Sequence, residues 1–309
     1  PDYIDSRHAA AFNEMLHTVT TRMDRLEAAL QCSTLPPDVF SLVLANTFDT
    51  EKTVNPIDTM EPQKIADLAE MLAVGVTAEP RIEWPNAEVV VDTAFVTRKE
   101  WETLRMLGTG GSDAAVILGI SPYNTPRSLF YSKRGIEYAI PEPEDEGKDF
   151  IFEYGHRMED MVINTFCKEA GCTRIRETRM FRSKKYPFMT ANIDGIIRFP
   201  DGRLAVFEAK TTTSFNRDAW SNGSCPAHYV PQCRQYPMVL ADDRIAETYI
   251  GCIHGNTRSD FCSTVIPRSK EAEEQQAQRI EEYWNTYILG GVEPPLSANA
   301  VFDSEIRRR

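Results

Sequence analysis

The sequence predicts a mixed α/β fold: a central mixed sheet flanked by helices, with a helical extension ahead of it. Three observations carry that expectation. Segments 9–31, 61–74 and 151–169 show apolar residues at helical spacing. The pair Asp201-Gly202 separates two apolar runs, which is a hairpin signal. Residues 246–266 alternate as strands do and lead into a polar helical stretch over 268–288.

Taken in order, Phe12, Met15, Leu16, Val19, Met23, Leu26 and Leu30 form one stripe of a first helix that Pro36-Pro37 ends. A second helical pattern spans 61–74, and Pro80 and Pro85 mark a boundary. We therefore divide the chain into an acidic helical extension, 1–90, and a main domain, 91–309. Thr97 and Glu100 form a capping box ahead of a helix from Trp101 to Met106. The turn Gly108 to Asp113 feeds a further helix with Ser112 as its cap, and another helix holds Leu129 to Arg134. The helix over 151–169 carries Glu159, with Met158, Val162 and Phe166 turned inward. A looser segment, 213–227, precedes a short helix near 229–240 that Pro237 should kink or end.

Composition bounds the function. The chain has 309 residues, 42% apolar and 26% charged, enough for a sizeable core. No apolar run is long enough to span a bilayer, and the N-terminus lacks a basic-then-apolar leader pattern, so no membrane role and a cytoplasmic location are expected. Seven cysteines without a Cys-x-x-Cys pair are expected to be reduced thiols, and no iron–sulfur cluster is expected. The net charge of −12 is uneven: residues 1–97 carry −10 and the remaining residues −2. Arg174, Arg176, Arg179, Arg182, Lys184 and Lys185 gather before the hairpin as a candidate basic lining.

The chemistry concentrates at the hairpin. A reversal at Asp201-Gly202 places Asp194 and Glu208 equally far from the turn, as near cross-strand neighbours. Glu208 and Lys210 are two apart and share a face. Two carboxylates and a lysine at one spot make sense with a divalent cation between them, which polarises a phosphate and activates a bound water. The alternative, a surface Glu–Lys pair on a solvated strand, is disfavoured because the apolar run Leu204 to Phe207 leads directly into Glu208. No Ser–His–Asp or Cys–His spacing suggests covalent catalysis. No Gly-Lys-Ser/Thr follows Gly110-Gly111, so it is not a nucleotide-hydrolase phosphate loop.

Further motifs stand in step with the hairpin. Gly155-His156-Arg157-Met158-Glu159 precedes it, and Tyr229-Val230-Pro231-Gln232 follows. With Asp194-Gly195 and Glu208-Ala209-Lys210, these resemble the PD-(D/E)xK nuclease superfamily, specifically the lambda-exonuclease/YqaJ-type viral recombinase family, over roughly residues 98–290. The resemblance implies a restriction-endonuclease-like core. It implies Mg²⁺ (or Mn²⁺) held by Glu159, Asp194, Glu208 and the Ala209 carbonyl, with Lys210 and Gln232 assisting the attacking water. Trp101 to Arg105 followed by Gly110-Gly111-Ser112-Asp113 resembles the family's N-terminal signature, implying a 5′-phosphate pocket from Arg105 and Ser112. Asn192 and Arg217 are further candidates to face DNA phosphates.

The implied function is 5′→3′ exonuclease action on double-stranded DNA ends. The implied partners are a single-strand annealing protein and further copies of the chain in a trimeric ring. Alternatives are an endonuclease of the same superfamily, which would need no 5′-phosphate pocket, and a non-catalytic DNA-end-binding module. The presence of Asp194, Glu208 and Lys210 together weighs against the second of these.

Overall fold

The computed structural model describes residues 81–136, 146–212 and 214–296. The helical patterns expected over 9–31 and 61–74 lie outside the described residues, which include only 81–90 of the extension expected over 1–90. Strand β1 (Ala87–Asp92) opens the described chain, and Ile82 and Trp84 just ahead of it are buried in the same core.

Two sheets organise the described residues. A five-stranded sheet has the order β2-β5-β6-β7-β8, from β2 (Thr173–Ile175), β5 (Gly195–Arg198), β6 (Leu204–Thr211), β7 (Ile245–Ile253) and β8 (Phe261–Pro267). A three-stranded sheet, β1-β3-β4, adds β3 (Arg179–Ser183) and β4 (Thr190–Asn192), strands that periodicity alone does not anticipate. The larger sheet is mixed, because β6 and β7 run parallel while its other neighbours are antiparallel. The expected mixed α/β architecture is what the chain adopts.

The hairpin is built as its turn chemistry dictates. Gly202 sits at φ +88°, in the left-handed region a glycine enters at little cost. Its N–H donates to the Phe199 carbonyl at 2.9 Å, and the Asp201 carboxylate accepts from the Arg203 N–H at 3.0 Å. Pairing runs from Arg198 opposite Leu204 to Gly195 opposite Phe207, so the next rung brings Asp194 to Glu208.

Helix α1 (Arg98–Arg105) starts at the expected capping box, with the Glu100 carboxylate accepting from the Thr97 N–H at 2.7 Å. Helix α2 (Gly111–Ile117) corrects one expectation. Its cap position is Gly110, whose N–H donates to Asp113 Oδ2 at 2.8 Å, and Ser112 lies exposed in the first turn. Helices α3 (Pro126–Lys133) and α4 (Glu146–Ala170) follow, the latter burying Val162 and Phe166 against Phe207 and Tyr249 of the large sheet.

A parallel β6–β7 pair needs a crossover, and α5 (Val230–Leu240) supplies its helix. Pro237 neither ends nor interrupts it; the helix runs on to Leu240 and closes at Ala241 in the left-handed conformation. The last helix, α6 (Lys270–Tyr283), continues as a π-turn over Trp284–Leu289. The main core joins β1, β3 and β4 to α2, α5 and α6, and a second cluster fills the space between α4 and the sheet.

Candidate active site

Strand β6 enters the site through buried residues, Leu204 to Phe207, and delivers Glu208 at 1% exposure. A carboxylate that far from water needs donors. Glu208 Oε1 accepts from the Lys210 ammonium and from Gln232 Nε2 (2.6 Å), while Oε2 accepts from the Tyr236 hydroxyl (2.7 Å). Gln232 Nε2 also lies 2.6 Å from the Tyr236 oxygen, so the crossover helix and the strand close one network. Asp194, one residue ahead of the facing strand β5, is fixed by the Ala209 N–H donating to its Oδ2 at 2.8 Å.

Three expected residues, Asp194, Glu208 and Lys210, are therefore together, with Gln232 completing the group. Tyr236 is a member that motif reasoning did not assign. Its signal is the four-residue step from Gln232, which puts both side chains on one face of a helix.

Electrostatics shift Asp194, Lys210 and Tyr236. Burial of the Asp194 carboxyl, then Glu208 and Glu159, push it well above the usual carboxylate range. Burial alone would lower the Lys210 ammonium, but Glu208 and Asp194 outweigh it and hold it above the usual range. Lys210 is therefore a fixed cation and hydrogen-bond donor at neutral pH. Burial and then Glu208 and Asp194 raise the Tyr236 phenol, which stays a donor.

Glu159 stands on α4 with its charge felt at Asp194, and His156 Nδ1 lies 3.2 Å from its Oε1. Among the described residues, no group of three or more His, Cys, Asp and Glu side chains is arranged to hold a metal ion. The donor chemistry of Asp194 and Glu208 still suits a hard divalent cation, which takes oxygen ligands. The repulsion from Glu208 and Glu159 that helps raise Asp194 is what such a cation would relieve. As the side chains stand, the Glu208 oxygens are engaged by Lys210, Gln232 and Tyr236.

The second expected cluster is also assembled. Arg105 Nη2 donates to Ser112 Oγ at 2.9 Å, with the guanidinium over the Trp101 ring at 4.7 Å. Beneath them Lys133, nearly fully buried, pairs with Asp113 at 2.7 Å and donates to the Arg105 and Gly108 carbonyls at 2.6 Å each. Burial disfavours the Asp113 carboxylate, yet Lys133 and Arg105 leave it below its usual range. Gly111 ties this turn to the carboxylate network: a Cβ there would lie 3.0 Å from both Gln232 Cγ and Tyr236 Cε1. Gln235 reinforces the link, its Nε2 donating to the carbonyls of Thr109 (2.8 Å) and Thr190 (2.9 Å).

Two expected residues remain. Asn192 ends β4 with its Oδ1 buried and without a hydrogen-bond partner among the described residues. Arg217 is on an exposed turn, where its charge acts on Asp260 and Cys262. The expected basic lining is largely spent on structure. Arg174 and Arg176 pair with Asp160, Arg179 with Glu177, and Arg182 with Glu88, while Lys184 donates to the Pro85 carbonyl. Glu88 and Asp160 lie on other elements, so the arginine run alone does not reveal them, whereas Glu177 stands only two residues from Arg179. The six cysteines of the described residues are free thiols. No helix among those residues is long and apolar enough to cross a membrane.

Comparison with known proteins assigns the class. Residues 100–243 match the YqaJ-like viral recombinase domain, the span that carries every motif from α1 to α5. The uncharacterized protein YqaJ of Bacillus subtilis (strain 168) is 30% identical over 224 residues, covering 72% of this chain and 67% of that protein. The chain belongs to the YqaJ-like viral recombinase family. Among solved structures it is similar to the alkaline exonuclease LHK-Exo of Laribacter hongkongensis, with TM-scores of 0.48 (in complex with dAMP) and 0.46. Both share 12% identity and cover 60% of this chain and 91% of that one.

Proposed function

We propose that this chain is a metal-dependent deoxyribonuclease that degrades one strand of duplex DNA in the 5′→3′ direction from its ends, in recombination by strand annealing. The observation that carries the proposal is the pairing of the Asp194, Glu208 and Lys210 group with the Arg105–Ser112 contact. The two are joined through Gly111.

Asp194 and Glu208, with Glu159 and the Ala209 carbonyl, would hold Mg²⁺ or Mn²⁺. The bound cation supplies Lewis-acid polarisation of the scissile phosphate and a lower pKa for its water. Lys210, kept protonated by its two carboxylate neighbours, offsets charge that builds on the phosphate oxygens. Gln232 and Tyr236 hold Glu208 in one orientation, so the carboxylate does not need to reorganise during the reaction. Arg105 offers a guanidinium fork and Ser112 a hydroxyl to a terminal phosphate, the geometry that planar bidentate recognition uses. Further copies of the chain in a ring and a single-strand annealing protein are the partners this function calls for.

The test is digestion of linear and circular duplex with Mg²⁺, with 5′ ends phosphorylated or not. Linear, phosphorylated duplex should be shortened from its 5′ ends while circular duplex stays intact. Cutting of the circle would replace the assignment with an endonuclease. No degradation, together with equal DNA binding by Lys210→Ala and the unmodified chain, would remove the enzyme assignment altogether.

A further inference from the structure

We propose that Tyr123, backed by His228 and Tyr229, is a stacking platform for a nucleobase at the DNA end, a role that rests on the nuclease proposal above. Tyr123 lies in the turn that follows α2, the helix whose first turn carries Ser112. At 72% it is the most exposed large apolar side chain among the described residues. An aromatic ring so placed gains little from the fold and presents apolar area to whatever meets it.

The ring is nonetheless held in position. Tyr123 and His228 meet edge to face, with centroids 5.4 Å apart and planes at 88°. His228 packs on Tyr229 at 4.1 Å, and the Tyr229 ring receives the Lys210 ammonium at 5.1 Å. Lys210 rests on Glu208. A continuous series of contacts thus runs from an exposed aromatic to the carboxylate group. In an edge-to-face pair at most one face of Tyr123 is covered by His228, so the other is available for stacking.

A ligand that lies at Lys210 by its phosphate and reaches Tyr123 by a flat apolar group is a nucleotide in a strand. Stacking tolerates any sequence, because every base has a π-face, and this suits an enzyme that proceeds along DNA of any sequence.

The experiment measures binding of the full chain to 5′-phosphorylated, fluorescein-labelled duplexes by anisotropy, with EDTA present so that no hydrolysis intervenes. One duplex ends in ordinary base pairs; in the other the terminal nucleotides are abasic. Tyr123→Ala should weaken binding to the ordinary end roughly tenfold or more, from the usual worth of base–aromatic stacking. It should leave binding to the abasic end unchanged, and Tyr123→Trp should bind both as the unmodified chain does. Equal binding by Tyr123→Ala and the unmodified chain to the ordinary end would overturn the platform. So would an equal loss on both ends, which would mark a contact to backbone or protein. Digestion with Mg²⁺ is scored separately. A base-dependent loss of binding without degradation leaves the platform and removes the nuclease assignment; degradation without that loss does the reverse.

Discussion

The Thr248 hydroxyl on β7 donates to the Cys233 carbonyl on α5 at 2.9 Å, and that carbonyl is the one Pro237 leaves without its helical donor. A proline inside a helix removes the N–H that would serve the residue four before it. Here a strand residue makes good the loss, and the helix continues in line past Pro237 to Leu240. Replacing Thr248 by Val should leave that carbonyl buried and unsatisfied, at a cost of about 1–3 kcal/mol in urea denaturation. In a Pro237→Ala background the same change should cost clearly less, because the helix then supplies its own donor. Equal costs in both backgrounds would show that Thr248 does not compensate for the proline.

This contact also marks what was legible in the sequence. The Asp201-Gly202 turn, the Thr97–Glu100 cap and the Asp194/Glu208/Lys210 register depend on neighbours within one hairpin or one helical turn, so the residues themselves foretell them. Tyr236 joins Glu208 only because a crossover lays α5 over β6, and Pro237 survives only because of a residue on the next strand. The arginines before the hairpin suggest a DNA surface until Glu88 and Asp160, on other elements, claim three of them. Partners brought by the fold, rather than by the local chain, are where pattern reasoning ends.

Lys133 holds the turn that carries Arg105 and Ser112. It pairs with Asp113 and binds two backbone carbonyls, all out of water. Lys133→Met should destabilise the protein by about 3–5 kcal/mol, because the buried Asp113 loses its nearer counter-charge and keeps only Arg105, at 3.8 Å. Adding Asp113→Asn should return part of that loss. Chemical denaturation of the two single variants and the double variant decides it: additive costs would mean the two side chains are not coupled.

Tyr236→Phe keeps the ring and removes one of the donors that orient Glu208. Hydrogen bonds to charged groups are worth about 1.5–3 kcal/mol, so turnover on linear duplex should fall roughly tenfold to a hundredfold with DNA affinity unchanged. Lys210→Ala should cost a hundredfold or more, the usual scale for losing a donor aimed at developing charge. A Tyr236→Phe variant with full turnover would reduce the phenol to a packing role.

Binding of a divalent cation between Asp194 and Glu208 predicts a linkage effect that needs no DNA. A ligand that binds the folded chain alone stabilises it by mass action. Mg²⁺ or Mn²⁺ at about millimolar concentration, in the range where such sites fill, should raise the melting temperature of the unmodified chain and leave that of Asp194→Asn unmoved. Asp194→Asn should also melt higher than the unmodified chain in EDTA, since it relieves the repulsion from Glu208 and Glu159. An identical metal-dependent rise in both proteins would place the cation elsewhere.

His228 gives the pH prediction. Burial, and then the Lys210 charge, lower its pKa from the usual 6.5. Its folded pKa lies below the unfolded one, so the unfolded chain takes up the proton first as pH falls. The stability contributed by the neutral ring is complete above the unfolded value and is lost as pH falls from there through the folded value. The ring is half-exposed, so solvent screening keeps the effect small. His228→Phe retains an aromatic between Tyr123 and Tyr229 but cannot take up a proton. The stability difference between the unmodified chain and His228→Phe, from denaturant melts at pH 7.5 and 5.5, should shift in favour of the variant at the lower pH. A difference independent of pH would show that the imidazole keeps its ordinary affinity for the proton in the folded chain.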